Sequence, residues 1–536
     1  LKKELETYWN SHCKKRHLES KSQMIDILII GAGHNGLVCA GYLAKAGLDV
    51  LVIERSHRIG GACITEELVP GYTFSTFAYT AHGPAAKICR DLEIPADAFT
   101  IVEYDPAQFA PFPDGDHILL WKDSERTAAG LERFGPGEGE GYLAFSKFMN
   151  DAVEIMQSVM FSPPPTHQAL VDRFGNTSRG PALEALLTRS YWDVLGDYFH
   201  SEKVRCVMCR ADDVGSPTTI GSLLAEVAES ASEGAGMENK SGIPKGGMGT
   251  ITQALAAAAR RFGAEVRTES PVEEIEIECG KAVGVRLSGG ERIRARKVVS
   301  NADPKRTFLK LTNADNLNAD FIRQVKAIKT RANYMKYHAI LSAPPRFTAA
   351  PSELADDPRL VNGSRIAPSL SYYENAWRDS QSGIPSRDPI LSMQLPTAYL
   401  PELAPPGKHI FGSWVRYGTA HPREGTWDEL REPVMRNIAR VVNDYAPGFL
   451  DLIEWQKLYS PHDIERETGI TDGCIRHVDM TLDQMLDRRP LPPWSAYRTP
   501  VEGLYLCGSG THPCGSVTGA PGHNAAKAIL DDYRRA

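Results

Sequence analysis

Long apolar runs are missing from this chain of 536 residues. None approaches the ~18–20 consecutive residues needed to span a bilayer, so no transmembrane segment is expected. The polar, charged opening Leu1–Gln23 lacks the apolar core of a secretory signal. An initiating methionine is also lacking, and Met24 stands just before the first strand-like run. Leu1–Gln23 is therefore expected to be an extension outside the fold, disordered or non-native. Basic excess is absent too: 60 Lys and Arg face 67 Asp and Glu, and the net charge of −7 supplies no broad attraction to nucleic acid or an anionic membrane. The ten cysteines lack the paired spacing of a disulfide framework, which points to a reducing, cytoplasmic setting. The lone CxxC, Cys206 and Cys209, has no second pair to complete a zinc site and reads as packed thiols, so no metal centre is expected.

What is present is an ordinary globular composition, 42% hydrophobic and 24% charged. The length suits two or three domains of roughly 100–200 residues. Ile25–Ile30 (IDILII) is an apolar run of strand length, as expected for a parallel strand buried on both faces. Leu37–Ala46 reads as a helix and Asp49–Glu54 as a second buried strand, completing a βαβ unit of about 30 residues. Gly135–Ala235 is helix-rich. Short strands follow at Val266–Thr268, Val272–Glu278, Ala282–Leu287 and Arg292–Val299. Thr307 to about Ser460 reads as mixed α and β, and Gly503–Leu530 as strand, glycine loop and helix.

Gly31, Gly33 and Gly36 form a GxGxxG between the first strand and its helix, the context in which that motif binds a dinucleotide. Gly31 permits the tight turn, Gly33 lets the backbone approach a pyrophosphate, and Gly36 lets helix and strand pack closely. His34 and Asn35 fill the variable positions, near the pyrophosphate. The helix N-terminus offers unpaired N–H groups to the phosphates. Glu54 ends the second strand, 21 residues past Gly33, where a carboxylate accepts hydrogen bonds from both ribose hydroxyls and repels a 2′-phosphate. Arg55 and then Gly60, Gly61 and Ala62 follow, and the double glycine lets the chain pass close to a long cofactor. A second GxGxxG after a strand is absent, so no NAD(P)H domain is expected. Cys63 stands alone, without the partner that disulfide-reductase chemistry needs.

This run of strand, acid, arginine and Gly-Gly resembles the FAD-binding superfamily of glutathione reductase, the amine oxidases and the phytoene desaturases. Within it, the segments IGGACITEE, PKGGMG, SNADPKRTFLKL, HVDMTLDQM, YRTPVEGLYLCGSGTHP and GAPGHNAA resemble the phytoene desaturase family. They point to its branch of cyanobacterial-type β-carotene ketolase and mitochondrial pyridine nucleotide-disulphide oxidoreductase domain proteins. The resemblance implies an α/β fold: a Rossmann-like FAD domain of the glutathione reductase/amine oxidase type, with an inserted α+β substrate domain. The FAD domain is expected from 24–110, 240–306 and 470–536, and the substrate domain, with a helical part, from 111–239 and 307–469. Further FAD contacts are implied at Gly246, Gly247, Val272, Asn301, Gly508, Ser509, Gly519, Ala520 and Gly522. A small, possibly lipophilic substrate is implied, with oxygen or a quinone reoxidising the flavin.

The chemistry expected is hydride removal to flavin N5, the cofactor carrying the reaction and the protein supplying orientation and field. His512, and less strongly His477, are candidate bases or proton relays. Cys514 is a candidate for contact with the ring. Arg488, Arg489 and Arg498 read as solvated surface, with anion binding as the alternative. The polar strip Ala225–Ser241 argues against a long hydrocarbon if it lines the substrate channel. Three functions stay open: a carotenoid or isoprenoid desaturase or ketolase, an oxidase of a smaller polar amine or alcohol, and a non-catalytic flavin-bound assembly protein. Peripheral membrane contact fits the first, though no basic amphipathic helix marks it.

Overall fold

In the computed structural model, residues 24–81, 83–210, 215–234 and 242–535 are described; the expectation for Leu1–Gln23 lies outside them. Twelve strands are used here: β1 (Ile25–Ile30), β2 (Val50–Ile53), β3 (Glu265–Arg267), β4 (Val272–Glu278), β5 (Lys281–Leu287), β6 (Arg292–Ser300), β7 (Tyr334–Leu341), β8 (Ser364–Ile366), β9 (Ile390–Gln394), β10 (His409–Arg416), β11 (Ile453–Tyr459) and β12 (Leu504–Leu506). The helices that matter are α1 (His34–Lys45), α2 (Glu138–Gln157), α3 (Ser222–Glu233), α4 (Gly249–Arg261), α5 (Trp427–Tyr445) and α6 (Ala520–Arg535).

The first sheet runs β4-β5-β6-β1-β2-β3, with β12 also on β6. The strands β3, β2, β1, β6 and β12 are parallel. Alternation along β1 explains its burial. Ile27 and Ile29 join one apolar cluster with Leu37, Val38, Ile251, Leu255, Ala525 and Ile529 of α1, α4 and α6. Leu28 and Ile30 join the opposite cluster, under β4–β6 and the segment to Ile328. A strand covered on both faces has to be apolar throughout, as IDILII is.

The second sheet has the order β8-β9-β10-β7-β11, with antiparallel pairing throughout. Met335, Tyr337, Ala339 and Leu341 of β7 pack on Trp427, Ile438 and Val442 of α5. The alternate residues Tyr334, Lys336 and His338 face the other way and are also buried. A third layer of helices between residues 124 and 234, α2 and α3 included, packs around Phe145, Ile155, Leu195, Leu223 and Val227. The expected polar strip divides there. Ala225, Val227, Ala228 and Ala231 of α3 are apolar core, Glu229 reaches the central cavity, and 235–241 lies outside the described residues. Among the described residues no helix is long and apolar enough to cross a membrane, and no cluster of His, Cys, Asp or Glu is placed to hold a metal.

Gly522 holds α6 against α1 at closest approach: a β-carbon there would lie 2.1 Å from the carbonyl oxygen of Asn35. Backbone cannot swing aside as a side chain can. Gly522→Val is expected to cost ~1–3 kcal/mol of overpacking and to lower Tm by roughly 2–6 °C in a thermal melt. An unchanged Tm would contradict this packing.

Candidate active site

The C-terminal ends of the parallel strands deliver one concave surface, the crevice that binds ligands in open α/β sheets. β1 ends at Gly31, whose φ of +99° admits the turn into α1. A β-carbon on Gly36 would lie 2.2 Å from the Gly31 carbonyl oxygen, so strand and helix meet without room for a side chain. β6 ends at Asn301, whose Nδ2 donates to that same carbonyl at 3.3 Å. The rest of the SNADP motif is structural: Asp303 caps the following helix by accepting from Arg306 N at 2.8 Å, and also accepts from Thr471 N at 3.0 Å. β12 leads to Ser509, whose Oγ accepts from Asn35 Nδ2 at 3.2 Å. β2 leads to Glu54, whose carboxylate accepts from Ala32 N and Ser56 N, each at 2.9 Å. Gly60 and Gly61, both with positive φ, press on the fingerprint loop, Gly60 N donating to Ala32 O at 2.9 Å.

The remaining expected contacts divide. Ser270 N, two residues before Val272, donates to the carbonyl oxygen of Glu54 at 2.9 Å, and Val272 itself pairs with Leu287 at the start of β4. Arg55 leans away and donates to Arg466 O at 2.5 Å. Gly246 and Gly247 have positive φ, and Gly247 faces Thr65 and Ser75 rather than the fingerprint. Gly508 packs on Asn301 and His477, Gly519 on Val38 and Ile88, and Ala520 lies in the helical core.

Beside this cradle lies a cavity of about 450 Å³ that reaches the polar face of the second sheet. His34, Ala62, Ser509 and Ser516 line it on the cradle side; Gln394, Trp414, Arg365 and Arg416 line it on the sheet side. Pairing explains the sheet side. Arg365 stands opposite Ser392, Ser392 opposite Trp414, and Trp414 opposite Lys336, so four strands present one transverse row on one face. Arg416 is oriented by Ser392, to whose Oγ it donates at 2.6 Å.

Lys336 was not singled out from sequence. It is 1% exposed, and its Nζ lies 4.0 Å from the ring centre of Tyr79 and 5.1 Å from that of Trp414. Burial pushes its ammonium well below the usual lysine range. The alternation of YMKYHAIL was the available signal, since a lysine and a histidine two apart share one face of a strand.

The expected catalytic residues fall elsewhere than anticipated. His512 is 0% exposed, bonds Val159 O through Nε2 at 3.0 Å, and does not line the cavity. Cys514 is packed in the helical core, and burial raises its thiol. His477 sits behind Gly508, with φ of +64°. Arg489, expected at the surface, is fully buried, while Arg498 pairs with Asp532 at 2.7 Å. Cys206 and Cys209 are buried free thiols.

FAD fits these residues. Nε2 of His34, Oδ1 of Asn35 and Nδ1 of His477 are buried around the cradle without hydrogen-bond partners, which a polar cofactor supplies. Burial lowers His34 to about 4, with His477 adding to the effect, so a neutral imidazole faces the site.

Two outcomes are expected. Gly36→Ala must spread the loop against backbone; the variant is expected to fold by circular dichroism yet bind FAD roughly tenfold or more weaker, a cost of ~1–3 kcal/mol. Wild-type affinity would contradict the cradle. Burial also lowers His338 and His477 to about 3 and His512 to about 4. These values lie below the unfolded value near 6.5, so the stabilisation is complete above pH ~6.5 and is lost as pH falls toward 4. Tm is expected to drop between pH ~7.5 and ~5, and to drop less in His338→Gln; equal drops would contradict this origin.

A profile of flavin containing amine oxidoreductases matches residues 36–530. Pyridine nucleotide-disulfide oxidoreductase domain-containing protein 2 of Rattus norvegicus is 32% identical, over 95% of this chain and 94% of its own length. A zeta-carotene-forming phytoene desaturase of Myxococcus xanthus is 26% identical over 92% of both chains. Among solved structures, a putrescine oxidase redesigned in cofactor binding covers 95% of this chain and 99% of its own at 16% identity, with a TM-score of 0.61, a likeness of fold. The chain belongs to the flavin-containing amine oxidoreductase family, in its phytoene desaturase-like branch, and is an FAD-dependent oxidoreductase.

Proposed function

We propose that this protein dehydrogenates a compact, polar organic substrate held between the FAD cradle and the polar face of the second sheet. One observation carries the reading: the cavity wall opposite the cradle carries the polar side chains of Arg365, Ser392, Gln394 and Arg416 beside Met393 and Trp414. Binding sites orient small ligands with a few such groups, and a long hydrocarbon leaves them desolvated without return. Arg365 and Arg416 make a poor wall for a protonated amine, so an alcohol or a carbonyl-bearing compound is the better substrate class.

FAD, when bound, supplies the hydride acceptor. Gly31, Gly33 and the N–H groups at the start of α1 would hold its pyrophosphate, and Glu54 would take its ribose. His34, Asn35 and Ser509 line the approach to the cavity. Lys336, packed against Tyr79 and Trp414 of the cavity wall, is the proposed proton acceptor: desolvation favours its neutral amine, which can take the proton that leaves with the substrate's hydrogen. Tyr79 and Trp414 exclude water from it. Oxygen or a quinone is the proposed final electron acceptor.

A second reading, desaturation of an isoprenoid, is favoured by the relative named for phytoene desaturation and by the apolar part of the wall, Met393, Val517 and Ile475. Anaerobic mixing with candidate substrates, followed by loss of flavin colour, separates the readings. Bleaching by alcohols or hydroxy compounds is expected; bleaching by carotenoids alone would replace the first reading with the second, and bleaching by nothing would leave a non-catalytic role. Lys336→Met is expected to slow bleaching by roughly 10²–10⁴-fold at unchanged FAD content. In the wild type the rate falls as pH falls through the lysine's lowered value, and in the variant that limb disappears. An unaltered pH profile would remove Lys336 from the chemistry.

A further inference from the structure

Arg488 and Arg489 adjoin in sequence and part in the fold. Arg489 is 0% exposed and among the largest fully buried side chains of the protein. Its Nη2 donates to the carbonyl oxygens of Arg476 at 2.8 Å, Val478 at 3.2 Å and Ser509 at 2.9 Å. Its Nη1 donates to those of Asp479 at 3.3 Å and Gln484 at 3.4 Å. These five acceptors belong to two separate stretches of chain, the segment 476–484 and the turn after β12, which the guanidinium joins. A planar guanidinium serves such an arrangement because its donors point in several fixed directions at once.

The two stretches both belong to the cofactor site. Ser509 accepts from Asn35 at the start of α1, and His477 touches Gly508 and carries an unbonded Nδ1. Burying a guanidinium costs several kcal/mol unless it is well bonded, and a neutral side chain would knit carbonyls without that cost. The charged and titratable groups around it are few. Arg476 is tied to Glu229, while the buried carboxylate of Asp479 accepts from Arg331 N at 2.9 Å and Ala332 N at 3.0 Å. Cys474, Cys514, His477 and His512 complete the surroundings, and the guanidinium disfavours a second positive charge on either imidazole.

We propose that Arg489 is a positioning residue of the FAD site: its guanidinium ties the segment carrying His477 to the turn carrying Ser509, and its fixed charge raises the reduction potential of the bound flavin. Reduction adds negative charge to the cofactor, and a preorganised cation in a water-excluded site lowers the cost of that charge. The role is independent of the substrate, so it stands or falls apart from the reading above.

Two variants of the full chain separate tie from charge. Arg489→Lys keeps the charge but replaces the fork by a single nitrogen; Arg489→Met removes both. Binding of added FAD and the midpoint potential of the loaded protein are measured for each. Arg489→Lys is expected to bind FAD at least tenfold more weakly with a potential close to that of the wild type. Arg489→Met is expected to bind weakly and to shift the potential to a more negative value. Wild-type FAD affinity in Arg489→Lys, or a wild-type potential in Arg489→Met, would overturn the proposal. Should Arg489→Met fail to fold by circular dichroism, Arg489→Gln, which returns amide donors without charge, takes its place, and a wild-type potential there overturns it equally.

Discussion

The gap between Gly31 and Gly36 is too small for a β-carbon, and the rest of the site is arranged around that closeness. Because the strand meets its helix so tightly, the first free N–H groups of α1 stand at the end of β1, and the neighbouring parallel strands can bring their own ends to the same point. β6 supplies Asn301, β2 supplies Glu54, and β12 leads to Ser509. Two of those contacts cross long intervals of sequence: Gly31 and Asn301 are 270 residues apart, and Asn35 and Ser509 are 474. A parallel sheet makes such convergence possible, since every strand ends on the same side.

The second sheet answers a different constraint. β7 is buried along its whole length, yet it alternates apolar with polar. One face is ordinary core against α5. The other buries Lys336 and His338, which carries a solvation cost that packing alone does not return. Perturbed titratable groups of this kind gather at functional sites, and here Lys336 packs against Tyr79 and Trp414, which line the cavity. Arg489 stands in the same relation to the cradle from behind. Both side chains are shut off from bulk water, Lys336 against Tyr79 and Trp414 and Arg489 behind Ser509.

Much of the first domain was legible because its signals are local. The apolar run Ile25–Ile30, the glycines after it and Glu54 at the end of the next strand each declare their role through spacing within about 30 residues. The cavity was not legible, because it is made by cross-strand register: nothing near Arg365 in sequence shows that it will stand beside Ser392 and three strands away from Lys336. Arg489 was misread as surface because a doublet of arginines is usually solvated, and its acceptors are carbonyl oxygens, which leave no mark on sequence. His512 and Cys514 were drawn in by their place in the most family-like block. That block is buried for packing as well as for binding, and the neighbours that cover them, such as Val159, come from the helical layer. The Gly246–Gly247 pair shows the same ambiguity: positive φ and close backbone approach were foreseeable, but not that the neighbour would be the Thr65–Ser75 hairpin.

The most direct measurement is titration of the apoprotein with FAD, followed by its visible absorption. The expected result is saturable binding of one FAD per chain, leaving the protein yellow after desalting. A protein that stays colourless, with no saturable uptake, would contradict the claim that the ends of these strands form a dinucleotide cradle.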